Sequence, residues 1–103
     1  MINRLYVITR LDLNCSSPAV QCGHVLAEFC LKNIDSAKTW NNQTLIYLEV
    51  ENLEKLEWWC FKLRKKNIDW VEFREPDLNN ELTAICVFLK EDNSIFNGLN
   101  LLT

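Results

Sequence analysis

The apolar positions of this chain fall into short runs and longer helical periods. Apolar runs at 5–9, 44–50, 70–73 and 84–89 are typical of β-strands, and the first and last are apolar enough to be buried on both faces. Helical periods cover 17–32 and 53–66, and each begins at a residue suited to cap a helix, Ser17 before Pro18 and Asn52. The predicted order is β-α-β-α-β-β, which favours a mixed α/β domain with helices on both faces of the sheet.

Length and composition predict a single domain of the ordinary water-soluble kind. The chain has 103 residues, of which 49% are hydrophobic and 24% charged, enough for one core. No apolar stretch approaches the ~20 residues that span a bilayer, and the N-terminus lacks a signal-peptide core, so we expect a cytoplasmic protein that does not contact membranes. Five cysteines without a CxxC pair predict reduced, mostly buried thiols and no metal site. No cofactor is predicted.

The charge balance bears on nucleic acids as partners. A net charge of −3 argues against a general nucleic-acid binder, although a local basic patch can still form. One candidate patch is the end of the second helix, with Lys62 and Lys65, where cations also complement the helix dipole. The four tryptophans could stack on bases, but core packing or a homodimer contact is the competing explanation.

The first predicted helix carries a narrow polar stripe on an otherwise apolar surface. Gln21, His24, Glu28 and Lys32 are spaced at i, i+3, i+7 and i+11. Histidine is the one side-chain type that ordinarily titrates near neutral pH, and His24 is the only histidine. The stripe is either a solvent face or half of a functional site. Gly23 favours the second interpretation, because mid-helix glycine costs ~1 kcal/mol against alanine unless another backbone or a ligand approaches closely.

The segment 74–83, between the last two strands, is more charged than a hairpin needs. It carries three carboxylates, Arg74 and Thr83 around Pro76, although Asn79 and Asn80 alone would supply a turn. Charged connections at the ends of buried strands often hold binding or catalytic groups. A solvated hairpin is the alternative.

Both polar segments resemble the type II peptidyl-tRNA hydrolases. Residues 10–13 (RLDL) and 19–25 (AVQCGHV) are similar to the N-terminal signature of that family, a strand ending in R-x-D-L before a helix with A-x-Q-x-x-H. Residues 73–85 (FREPDLNNELTAI) resemble a compact branch of the family, and the resemblance extends over nearly the whole chain. It implies a three-layer α/β/α fold on a four-stranded mixed sheet.

The resemblance also implies an activity, hydrolysis of the ester that joins a peptide to the 3′ end of tRNA. Such chemistry needs a base that activates water and donors for the developing oxyanion. The implied catalytic residues are His24 as the base, Asp77 as the group that orients the base or the water, and Gln21 and Thr83 as hydrogen-bonding groups. The implied contacts to peptidyl-tRNA are Arg10, Ser17, Lys62, Lys65, Arg74, Asn79 and Asn80.

The chain departs from the family at one cation. The enzymes carry a lysine four residues before the motif glutamine, and this chain has Ser17 there, so Arg10 or Arg74 would have to replace the charge. Ser16 or Ser17 could instead act as nucleophile in a Ser-His-Asp arrangement. A third hypothesis is a non-enzymatic binding module that retains the fold and the pocket but has lost hydrolysis.

Overall fold

The strands and helices follow the predicted order, with two additions. The computed structural model describes residues 3–14, 16–91 and 94–103. The predicted elements are present as β1 (Arg4–Arg10), α1 (Pro18–Lys32), β2 (Thr44–Val50), α3 (Leu53–Lys65), β3 (Val71–Glu75) and β4 (Glu81–Leu89). The additions are a short helix α2 (Ile34–Trp40) and a strand β5 (Asn100–Leu101). The sheet therefore has five strands and not four, because the C-terminal tail pairs with β2.

The sheet is mixed, with the strand order β3-β4-β1-β2-β5. The central strand β1 pairs in parallel with β2 and antiparallel with β4, while β3 pairs antiparallel with β4. The parallel step from β1 to β2 needs a crossover, which α1 and α2 provide. One edge of the sheet thus collects the ends of β1 and β3, the start of β4 and the start of α1.

The helix boundaries follow from local capping. Ser17 accepts a hydrogen bond at its Oγ from the backbone N–H of Ala19 (3.2 Å), and Asn52 caps α3 in the same way through Lys55 (3.0 Å). Both predicted starts are confirmed to within one residue. No helix in the described part of the chain is long and apolar enough to cross a membrane.

Alternate residues of β1 belong to two separate clusters of buried side chains. Leu5 and Val7 pack with side chains of α1 and α2, whereas Tyr6 and Ile8 pack with those of α3. Because successive side chains of a strand point to opposite faces, the two clusters lie on opposite sides of the sheet. Phe96 packs into the α3 cluster, so the C-terminal tail is anchored to the domain.

The described cysteines are free thiols. Cys22, Cys60 and Cys86 are buried and Cys30 is half-buried, while Cys15 lies outside the described residues. Burial raises the pKa of the Cys22 thiol to about 12 and that of Cys60 to about 11. These thiols therefore stay protonated at neutral pH, in agreement with the prediction of reduced, structural cysteines.

Candidate functional site

The two polar segments meet at the side chain of Gln21. The Thr83 hydroxyl donates to Gln21 Oε1 (2.6 Å), although the two residues are 62 positions apart. Gln21 Nε2 in turn donates to Glu75 Oε1 (3.0 Å) and to Ser16 Oγ (2.6 Å). Both Gln21 and Thr83 are 0% exposed. The first residue of the polar stripe on α1 is thus inside the protein, so the solvent-face explanation is wrong for Gln21.

A β-bulge brings Thr83 to Gln21. Phe73 pairs with Ala84 and Arg74 with Leu82, which leaves Thr83 as an extra residue in β4. Leu82 packs in the α3 cluster, and Ala84 packs in the α1 cluster. Thr83 and Ala84 consequently both face α1, whereas strict alternation from Ala84 would have turned Thr83 towards α3.

The hydrogen-bonding capacity of Gln21 is used inside the protein. A side-chain amide has two N–H donors, and both are directed at Glu75 and Ser16. The carbonyl oxygen accepts from Thr83. Gln21 and Thr83 therefore act here as residues that hold α1 against the β3–β4 connection. A direct contact of either one with a substrate would require this network to open.

His24 lies one turn further along α1 and is exposed. Its imidazole stacks on the phenyl ring of Phe73, with ring centroids 4.6 Å apart and planes at 9°. Since Phe73 and Glu75 are two residues apart on β3, they share the strand face against which Gln21 and His24 pack. The base predicted from sequence is thus held beside the buried network.

Glu75 and Asp77, two carboxylates at the connection between β3 and β4, lie in different environments. Glu75 contacts the buried amide of Gln21, whereas Asp77 is exposed in the 3₁₀ turn Pro76–Leu78. The family resemblance selected Asp77, and the sequence analysis missed Glu75 because it ended β3 at Phe73. Extending the period-two alternation by one step would have put Glu75 on the face of Phe73.

Asn79 and Asn80 form the turn that leads into β4. Both have left-handed backbones, with φ of 55° and 61°, which asparagine tolerates better than most residues. The backbone N–H of Asn80 also donates to the carbonyl of Glu75 (3.0 Å). Their observed role is turn geometry, as the Asn-Asn pair by itself predicts; their predicted contact with tRNA stays a prediction.

Arg10 is enclosed by acceptors at the same sheet edge. Its guanidinium pairs with Asp12 (2.7 Å) and Glu81 and donates to the carbonyl of Leu82 (3.1 Å), and its side chain is only 7% exposed. The hydrogen bond to Asp12 raises the pKa of the guanidinium and lowers that of the Asp12 carboxyl. Arg10 is thus already neutralised by two carboxylates.

Arg74, the other candidate cation, also pairs with a carboxylate. Its Nε lies 2.6 Å from Glu72 Oε2, and Glu72 Oε1 accepts from the indole of Trp70, which packs in the α3 cluster. These contacts put Arg74 on the face of β3 that is turned away from His24. Ser17, at the position of the family lysine, is the N-cap of α1.

The contact between Arg10 and Asp12 predicts a pH-dependent stability. Because the pKa of Asp12 is lower in the folded protein than its ordinary value of about 4, the ionised carboxylate stabilises the fold above that pH, and this contribution is lost as the pH falls through the folded pKa. We expect Asp12→Asn to lower the urea midpoint at pH 7, with the gap to wild type closing below about pH 4. A gap of constant size down to acid pH would contradict this.

Lys62 and Lys65 lie on α3, away from this site. The Lys62 ammonium is 4.7 Å from the ring centroid of Trp59, and that of Lys65 is 5.2 Å from the ring of Phe61. The buried side chains of α3 pack on the sheet face opposite to α1. A tRNA that contacts both this helix and His24 would have to reach around the edge of the sheet.

Gly23 is exposed beside His24, and the space in front of it is open. A Cβ added at Gly23 would meet no atom within 4 Å, so the expectation of an approaching backbone is wrong for the described protein. The φ angle of Gly23 is not in the left-handed region. We therefore expect Gly23→Ala to raise the free energy of unfolding by about 0.5–1 kcal/mol, measured by urea titration. A loss of stability would contradict the open geometry.

No protein-family model matches this chain, and no curated protein sequence matches it. Within the described ranges, no group of three or more His, Cys, Asp or Glu side chains could hold a metal ion. The carboxylate of Glu75 and the hydroxyl of Ser16 contact Gln21, and the exposed imidazole of His24 lies one turn further along α1.

Proposed function

We propose that this protein is a peptidyl-tRNA hydrolase-like esterase that acts in the cytoplasm. The observation that carries the proposal is the 2.6 Å hydrogen bond between Thr83 and Gln21. It joins the two segments whose motifs resemble the type II peptidyl-tRNA hydrolases, as a shared site requires. The two core clusters on opposite sheet faces also agree with the three-layer arrangement of that family.

The proposed reaction is the addition of water to the ester carbonyl, followed by release of the peptide acid and the 3′-hydroxyl of tRNA. His24 takes the proton from the attacking water and gives it to the leaving 3′ oxygen, which becomes the hydroxyl of tRNA as the C–O bond breaks. Glu75, which lies on the same face of β3 as Phe73, or Asp77 has the role of stabilising the imidazolium that forms in between. The N-terminal turn of α1, where the Ala19 N–H is already bound by Ser17 Oγ, is suited to the oxyanion because a helix N-terminus favours negative charge.

A binding module without hydrolytic activity is the second candidate, and a specific observation favours it. The charge of the missing family lysine is not replaced by Arg10 or Arg74, since each is paired with carboxylates. In this case the protein would bind the 3′ end of tRNA or its peptide through the same surface and leave the ester intact.

One assay separates the two functions. N-acetylated aminoacyl-tRNA is incubated with the purified protein, and release of the acyl group is compared with buffer alone and with a His24→Ala variant. Release by the wild-type protein that the variant lacks supports the esterase. Equal release in all three samples removes the esterase, and retention of the intact substrate on the protein in a filter-binding measurement then supports the binding module.

A further inference from the structure

The imidazole of His24, the candidate base, stacks on the phenyl ring of Phe73. The ring centroids are 4.6 Å apart and the planes are within 9° of parallel, which is the offset arrangement that aromatic rings favour. Of the described residues, His24 is the sole histidine, and the sequence contains no other. Its side chain is exposed, so the phenyl face restricts a ring that water alone would leave free to rotate.

Phe73 is itself held on several sides. It lies opposite Ala84 in the β3–β4 pairing and packs against the buried cluster under α1. Its carbonyl oxygen lies 3.4 Å from the hydroxyl of Thr83, whose single proton is directed mainly to Gln21 Oε1 at 2.6 Å. The bulge at Thr83 follows immediately in the ladder, and bulges commonly set the direction of side chains beside functional sites. Phe73 is therefore held in place beneath the exposed ring of His24.

We propose that Phe73 is a positioning residue that fixes the plane of the His24 imidazole. Imidazole accepts a proton in the plane of its ring. Because the His24 ring is stacked on Phe73, it can take a proton only from a water molecule that lies in the imidazole plane, which is parallel to the phenyl ring. The catalytic part of this proposal rests on the proposed function; the orientation of the ring does not.

The experiment compares three variants by two measurements. Phe73→Leu removes the ring, Phe73→Tyr keeps it, and Phe88→Leu is the matched control, because Phe88 packs beside the same cluster and its ring contact is with Phe29. The first measurement is the NMR chemical shift of the imidazole protons, which needs no assignment in a protein with one histidine. The second is the hydrolysis of N-acetylated aminoacyl-tRNA, with kcat and KM determined separately.

We expect the ring-current displacement of the imidazole protons to disappear in Phe73→Leu and to persist in Phe73→Tyr and Phe88→Leu. We expect kcat to fall about 10-fold in Phe73→Leu with KM changed less than about 2-fold, and to recover in Phe73→Tyr, because a misaligned base slows the chemical step without weakening substrate binding. Unchanged imidazole shifts in Phe73→Leu would overturn the proposal, as would an equal fall of kcat in Phe88→Leu. A wild-type protein without turnover would overturn the esterase and the catalytic part of the proposal, and the NMR shifts alone would then decide whether Phe73 fixes the ring.

Discussion

Replacement of His24 by alanine is expected to lower kcat/KM for a peptidyl-tRNA substrate by roughly 10²–10⁴-fold. His24 is the side chain at this site whose ordinary chemistry suits proton transfer near neutral pH. It is exposed and, in the described structure, contacts the rest of the protein through its stack on Phe73. The substitution should therefore remove the base while the buried hydrogen bonds of Gln21 stay in place.

Two controls distinguish the loss of the base from a loss of folding. The melting temperature of His24→Ala should stay close to that of the wild-type protein, since exposed substitutions usually change stability by no more than about 0.5 kcal/mol. Glu28→Gln is the matched control on the same helix; the carboxylate of Glu28 pairs with Lys32 (3.0 Å), so we expect little change in kcat/KM. Equal activity of His24→Ala and wild-type protein would exclude His24 as the base.

Replacement of Thr83 by valine is expected to lower the free energy of unfolding by about 1–3 kcal/mol. Valine has nearly the shape of threonine but cannot donate to Gln21 Oε1, which would then be a buried acceptor without its hydrogen bond. The loss also frees Gln21 and, through it, Glu75 and the start of α1. Urea titration followed by tryptophan fluorescence measures the change.

Three further variants test whether the hydrogen bond is the cause. Thr83→Ser keeps the hydroxyl and should recover most of the stability. Thr39→Val makes the same chemical change at an exposed helical position and should cost no more than about 0.5 kcal/mol. Gln21→Leu combined with Thr83→Val should cost less than the sum of the two single changes, because Gln21→Leu removes the carbonyl oxygen that Thr83→Val alone leaves without its donor. A cost for Thr83→Val that matches Thr39→Val would show that the contact contributes nothing.

The sequence predicted the regular elements well where local chemistry decides them. Ser17 and Asn52 started their helices as expected, and the apolar run at 44–50 has the bounds of β2. The prediction missed α2 and β5. The short helix lies in a polar stretch whose only buried residue is Trp40, and β5 has just two residues that pair with β2. Neither has a periodicity long enough to be recognised from sequence.

The same distinction between what the sequence predicted and what it missed applies to the candidate site. The polar stripe on α1 and the resemblance to the type II peptidyl-tRNA hydrolases were sufficient to select Gln21, His24 and Thr83 from sequence. The environments of these side chains could not be predicted from sequence, because burial depends on which faces of the sheet and helices pack against each other. The bulge at Thr83 directs its hydroxyl to Gln21, and the extension of β3 brings Glu75 to the same amide. Arg10 and Arg74 were predicted to contact tRNA or to replace the charge of the family lysine. In the structure each arginine is paired with carboxylates.

The sequence by itself determined the order of the main strands and helices, the helix caps, the Asn79–Asn80 turn and the two segments that carry the motif. These depend on interactions within a few residues of the chain, which a linear pattern records. Only the tertiary structure decided that Gln21 is a buried link, that His24 rests on Phe73, and that Glu75 is the carboxylate bound to the network. Those outcomes depend on contacts between residues about 50 to 60 positions apart, where a single extra residue in a strand reverses the direction of a side chain.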